Sequence, residues 1–155
     1  MEIFILPLNK SFNMEMKIIP LIILSCILLG AVSASQNIDY SSESHNITFE
    51  GVNFTIPQGF AESKDNEDFN ELGSEGQTCF YINEWNGEIV ITVISDWMGM
   101  SLDELYRDGA VKSTVNGHNG WNYTENGMHY FGYVHDDKGI LVGVTNETRL
   151  YEVIL

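Results

Sequence analysis

The chain has 155 residues, 44% of them hydrophobic, enough for one domain of ordinary size and too little for a multi-domain enzyme or a polytopic membrane protein. Seven Lys and Arg against 22 Asp and Glu give a formal charge of −15. That sign excludes a phosphate-backbone binder, whose affinity comes from clustered cations displacing counterions.

The first element in chain order is an export segment. From Met16 the chain reads MKIIPLIILSCILLGAVSASQ, with one Lys, an apolar run from Ile18 to Leu29, and a close on small residues. Those are the three parts of a secretory signal peptide. Val32 and Ala34 fall at −3 and −1 of a cleavage after Ala34, where a signal peptidase admits small side chains. The alternative is an uncleaved N-terminal membrane anchor, because the 17 residues from Ile18 to Ala34 are about the shortest stretch that spans a bilayer as a helix. Translation from Met14 or Met16 is compatible with either. Cys26 lies mid-core, followed by ILLGAV, and is read as one more apolar residue rather than an acylation site. Loss of residues 1–34 removes Lys10, Lys17, Glu2 and Glu15 together, so the charge stays at −15.

Residues 35–46 are polar and Ser-rich and read as a flexible linker; residues 47–155 read as a single α+β domain. Ile47-Thr48-Phe49 and Val52 to Ile56 alternate apolar with polar around Glu50-Gly51, a half-buried hairpin that ends at Pro57. Residues 61–77 are acid-rich with little apolar content and read as a solvated loop. Asn66-x-Asp68-x-Asn70 begins like a calcium loop, but Glu71 stands where the sharp turn wants Gly and Gln77 where a bidentate Glu belongs.

A second hairpin comes next, Thr78 to Glu84 and Glu88 to Ser95, joined around Asn86-Gly87. Its second arm is apolar on both faces, as in a central strand covered on both sides. Cys79, the sole cysteine of the exported part, falls in its first arm at a buried strand position, and no CxxC pair exists to make a zinc ribbon. Ser101-Leu102-Asp103-Glu104 has the form of a capping box, and Leu102, Leu105, Tyr106 and Ala110 have helical spacing, which predicts a helix over about 102–112. Beyond it, turns at Asn116-Gly117, Asn126-Gly127 and Asp136 to Gly139 separate short strands in a meander. Asn146 is then expected to cap a C-terminal helix over about 147–154, with Leu150, Val153 and Ile154 inward.

That succession gives the fold class: an α+β domain, with an antiparallel sheet built from hairpins, a mid-chain helix and a C-terminal helix. The order of elements around VNFTIPQGF resembles the PsbP-like fold. That segment, together with VNGHNGWNYTENGMHYFGYVHDDKGILVGVT, is also similar to small exported proteins of methanogenic archaea. The resemblance implies a binding or assembly scaffold and carries no catalytic motif to transfer.

Chemistry-bearing residues are sparse. His129 and His135 share a strand face about 20 Å apart and cannot share a metal on one strand. His118 lies in a turn and His45 in the lead-in, so no metal site and no cofactor is assigned. There is no GxSxG elbow, and Cys79 has no basic neighbour to activate it. Trp85 flanks a turn, and Trp121 opens a strand and reads as folding back over a core edge. Trp97, with Met98 and Met100, is the candidate contact patch. Candidate N-glycosylation sequons stand at Asn46, Asn53, Asn122 and Asn146.

The functional expectation is a non-catalytic binding or assembly module for a protein partner or a surface glycan. It would be secreted, or anchored to the outer face of the cytoplasmic membrane through residues 18–34, and would have no nucleic-acid partner. The enzyme alternative is a small extracellular hydrolase with a site assembled from loops 61–77 and 96–100. A third reading is a stress-exposed surface protein kept soluble by its charge and glycans.

Overall fold

A computed structural model describes residues 38–63, 67–71, 74–96 and 100–155, with the side chains of 69–71, 74 and 96 left aside. The export segment and its candidate cleavage site lie outside the described residues. The described residues form ten strands: β1 His45–Phe49, β2 Val52–Ile56, β3 Phe60–Glu62, β4 Glu67–Glu71, β5 Ser74–Asn83, β6 Glu88–Asp96, β7 Val111–Val115, β8 His118–Glu125, β9 Met128–His135 and β10 Lys138–Val144. No helix among the described residues is long and apolar enough to cross a membrane.

The turn chemistry explains the meander. Glu50-Gly51, Asn116-Gly117, Asn126-Gly127 and Asp136-Asp137 each have positive φ at both residues, the backbone twist that two-residue hairpins require. All the strand pairings are antiparallel. The main sheet runs β3-β5-β6-β10-β9-β8-β7, with β4 continuing the β3 edge of β5, and β1 and β2 form a separate hairpin. As its two apolar faces demanded, β6 is central, between β5 and β10.

One face of the main sheet carries the principal core. Cys79 and Tyr81, Ile89, Ile91 and Val93, Phe131 and Tyr133, and Ile140, Val142 and Val144 alternate onto it from four adjacent strands. Its cover is Val52, Phe54 and Ile56 from β2, with Leu150, Val153 and Ile154 from the C-terminal segment, joined by a bridge between Phe54 and Ile154. At about 1.5–3 kcal/mol for each large aliphatic or aromatic side chain buried, this layer is the main source of stability. Three polar ties hold the cover down. Lys138 Nζ donates to the Glu50 carbonyl, Asn116 Nδ2 donates to the carbonyls of Tyr151 (2.9 Å) and Ile154 (2.7 Å), and His118 Nε2 hydrogen-bonds Leu155 O at 2.8 Å.

The α+β expectation is overturned: the described residues are mostly β-sheet. The mid-chain helix expected at 102–112 is a single 3-10 turn, Leu102–Leu105. Glu104 does reach back to accept the Ser101 N–H at 2.5 Å, but Tyr106 is already extended (φ −62, ψ 140), Gly109 has φ +82, and residues 111–115 pair with β8. Residues 111–115 hydrogen-bond across the Asn116-Gly117 turn instead, a partner that helical spacing does not register. The C-terminal helix of about 147–154 contracts to a 3-10 turn, Glu147–Arg149, and one α-helical turn, α1 Leu150–Val153. Ile154 leaves it extended to bridge Phe54. With neither helix of ordinary length, the PsbP-like layout goes too. The acid-rich segment 61–77 is also largely strand, since Glu67–Glu71 pairs with Ser74–Thr78. There Gln77 Nε2 donates to Asp68 Oδ1 at 2.5 Å, so part of the calcium-like pattern lies on an extended ladder.

Candidate functional site

The second face of the main sheet has a thinner cover, and its floor is shaped by glycine. Along one cross-strand row, Thr78, Thr92, Leu141, Gly132, Trp121 and Lys112 succeed one another from β5 to β7. Thr78 and Thr92 are buried and hydrogen-bond hydroxyl to hydroxyl at 3.0 Å, satisfying two polar groups inside the layer. Gly139 and Gly143 let side chains lie directly on backbone: a Cβ would come within 2.9 Å of Met100 Cγ at the first and 2.5 Å of Tyr130 Cε1 at the second. Leu105 seats its 3-10 turn against Gly132 and Gly139, and Met100, just before that turn, donates its N–H to the Asp137 carbonyl at 3.0 Å.

At the β7–β8 end this cover turns into an aromatic and cationic patch. Trp121 is half-buried and its indole N–H donates to the Leu102 carbonyl at 2.9 Å, which fixes the ring as the wall of the turn. Tyr106 meets that ring edge-on, 5.0 Å between centroids, and is 45% exposed. Lys112, directly opposite Trp121 in register, holds Nζ 5.0 Å from the indole centroid, a cation–π distance. Next along β8, Tyr123 stacks on Tyr130 at 5.1 Å and 15°, with Met128, Val90, Ala110 and Leu141 packed around them.

The polar groups here are unusual in lacking partners. The hydroxyl of Tyr123, a residue 8% exposed, is buried without a hydrogen bond, and so is the Nε of Arg107. Burial raises the Tyr123 phenol above its ordinary pKa against the pull of Arg107, and burial lowers that of Arg107. Arg107 spends one amino group on the Tyr106 carbonyl at 2.8 Å. Neither Arg107 nor Lys112 makes an ion pair among the described residues, in a chain with three times as many acids as bases. By contrast, Arg149 pairs with Glu152 and Lys138 ties down the Glu50 turn.

No family model, curated protein or solved structure matches the chain. Of the residues singled out in the sequence, Trp97 and Met98 lie outside the described residues, and Met100 is half-buried against Gly139. Trp85 projects from the β5–β6 turn, 79% exposed. Tyr106, expected inside a helical stripe, is instead exposed beside Trp121. Cys79 is buried on the core face, and burial, with the Glu62 charge adding to it, pushes its thiol up to about 12, far from a nucleophile's range.

The histidines illustrate what single-strand reasoning misses. His118 and His135 come from different strands, yet their rings lie 5.7 Å apart and His118 also packs against Tyr133 at 4.5 Å. The signal was present: the Asn126-Gly127 turn sets Gly120 opposite Tyr133, and two residues further along stand His118 and His135. His118 is engaged with Leu155, and no cluster of three or more His, Cys, Asp or Glu forms a metal site among the described residues.

Proposed function

We propose that the protein is an exported binding module that engages a carboxylate-bearing surface glycan through Tyr106, Trp121, Lys112 and Arg107. The export segment supports the location. The single observation that carries the ligand class is the pair of cations, Lys112 and Arg107, neither in an ion pair among the described residues, beside the Tyr106 and Trp121 rings on an otherwise acidic protein; Glu125 reaches Arg107 only through its field.

The chemistry comes from the side chains. Aromatic rings bury the apolar C–H face of a sugar, and an ammonium and a guanidinium supply charge-assisted hydrogen bonds to a carboxylate. The Tyr123 hydroxyl lies buried beneath this surface and takes no part in the contact. The overall negative charge repels anions at a distance, but its reach is about 8 Å at physiological ionic strength, so contact chemistry decides binding.

The test is a titration of the full chain with an oligosaccharide of hexuronic acid and, in parallel, with its neutral hexose counterpart, monitored by tryptophan fluorescence. The acidic sugar should shift the emission and the neutral one should bind at least tenfold more weakly. Trp121→Phe should abolish the signal change. Equal response to both sugars, or an unchanged response in Lys112→Gln, would overturn the reading.

A further inference from the structure

The two sequons of the β1–β2 hairpin are interlocked. Register sets Asn46 opposite Thr55 and Thr48 opposite Asn53. Thr55 Oγ1 donates to Asn46 Oδ1 at 2.9 Å, and Thr48 Oγ1 donates to Asn53 Oδ1 at 2.7 Å. Each asparagine is therefore held by the threonine that belongs to the other's sequon. Both asparagines are exposed, on the side of the hairpin opposite the core-facing Val52, Phe54 and Ile56. In each, the carbonyl oxygen is occupied and Nδ2 has no partner among the described residues.

From this we infer that Asn46 and Asn53 are a paired N-glycan acceptor site, an inference that rests on the export half of the proposed function. In the transfer, Nδ2 forms a bond to the anomeric carbon of a lipid diphosphate-linked oligosaccharide. The bond from that carbon to the diphosphate oxygen breaks, the lipid diphosphate leaves, and Nδ2 gives up one proton. The product amide keeps Oδ1, so both threonine hydrogen bonds survive modification and the glycosylated residues stay in register. The closed hairpin accommodates both sugars, because both asparagines stand exposed on the side away from the core-facing Val52, Phe54 and Ile56.

The other two sequons differ. Asn122 is half-buried and its Nδ2 donates to Glu147 Oε1 at 3.4 Å, while Asn146, exposed and held through Oδ1 by Thr148 of its own sequon, has no second sequon paired with it across a ladder. Only the hairpin combines exposure, a free Nδ2 and two acceptors on one face. Diagonal neighbours on paired strands are about 8 Å apart, close enough for the first sugars to shield the hairpin and far enough for both to fit.

The experiment is secretion of the full chain from a cultured animal-cell line, then peptide-N-glycosidase treatment in ¹⁸O-water and mapping of labelled aspartate. Label at both position 46 and position 53 is the expected result. Secreted protein lacking label at either position overturns the paired site while leaving the export reading intact. Chain retained in the cytosol with its leader overturns both. Thr48→Val should lose label at 46, keep it at 53, and lower the melting temperature, because it breaks one sequon and one hydrogen bond without touching the other acceptor.

Discussion

The ring of Tyr130 occupies the space above Gly143 where a side chain would stand, with its Cε1 only 2.5 Å from the position a Cβ would take. Gly143 and Tyr130 are direct cross-strand neighbours on β10 and β9, so the missing side chain on one strand is filled by the large one on the next. This lets Tyr130 lie flat enough to stack on Tyr123 and floor the candidate site. Gly143→Ala should cost about 1–3 kcal/mol, the usual range for overpacking. The check is a lower denaturation midpoint with an unchanged slope, partly restored by combining it with Tyr130→Ala, since contacting residues couple.

Tyr123→Phe separates stability from binding. The hydroxyl is buried without a partner, so its removal should leave stability equal or raise it by up to about 1 kcal/mol. The same change removes no solvent-accessible donor and should leave capture of an acidic oligosaccharide within about twofold of the parent. A melting curve and a titration on one preparation test both, and a large loss of stability would show that the hydroxyl has an essential partner.

Asn116 serves the fold twice, as a left-handed turn residue with φ 46 and as the donor to the carbonyls of Tyr151 and Ile154. Asn116→Gly keeps the turn and deletes the ties. Amide hydrogen exchange over residues 150–155 should then accelerate at least tenfold, with β5, β6 and β10 unaffected, because local opening needs less energy than global unfolding.

Alkaline pH should unfold the protein earlier than its carboxylates suggest. Cys79 is raised by burial from 9.0 to about 12, and Tyr81, Tyr123 and Tyr133 are raised by burial above their ordinary 10.0. In each case the unfolded state loses its proton first, so it binds fewer protons than the native state and stability falls as pH rises. For Cys79 the loss begins near pH 9 and continues to about pH 12. Denaturation midpoints across that window should decline, and Cys79→Ala should flatten the first part of the decline. The native thiol should also resist a disulfide reagent at about pH 8 until the protein unfolds.

Sequence alone was a good guide wherever the information is local. The β1–β2 hairpin, the long arms on either side of Asn86-Gly87 and the burial of Cys79 were all legible, because left-handed turns and period-two apolar patterns are written in neighbouring residues. The acid-rich 67–71 segment was not, since its strand character depends on pairing with β5 rather than on its own weak propensity.

The candidate site was the least legible part. Tyr106 has helical spacing with Leu102 and Leu105, yet the neighbour that matters to it is Trp121, fifteen residues on, and Lys112 faces that ring only because β7 pairs with β8. The residues of this chain thus determined by themselves its turns, its alternating strands and its excess of negative charge. Which strands became neighbours, and so which cations and rings share a face and which sequons interlock, was decided by tertiary structure. Hydrogen bonds between strands act across sequence distances that no local pattern records.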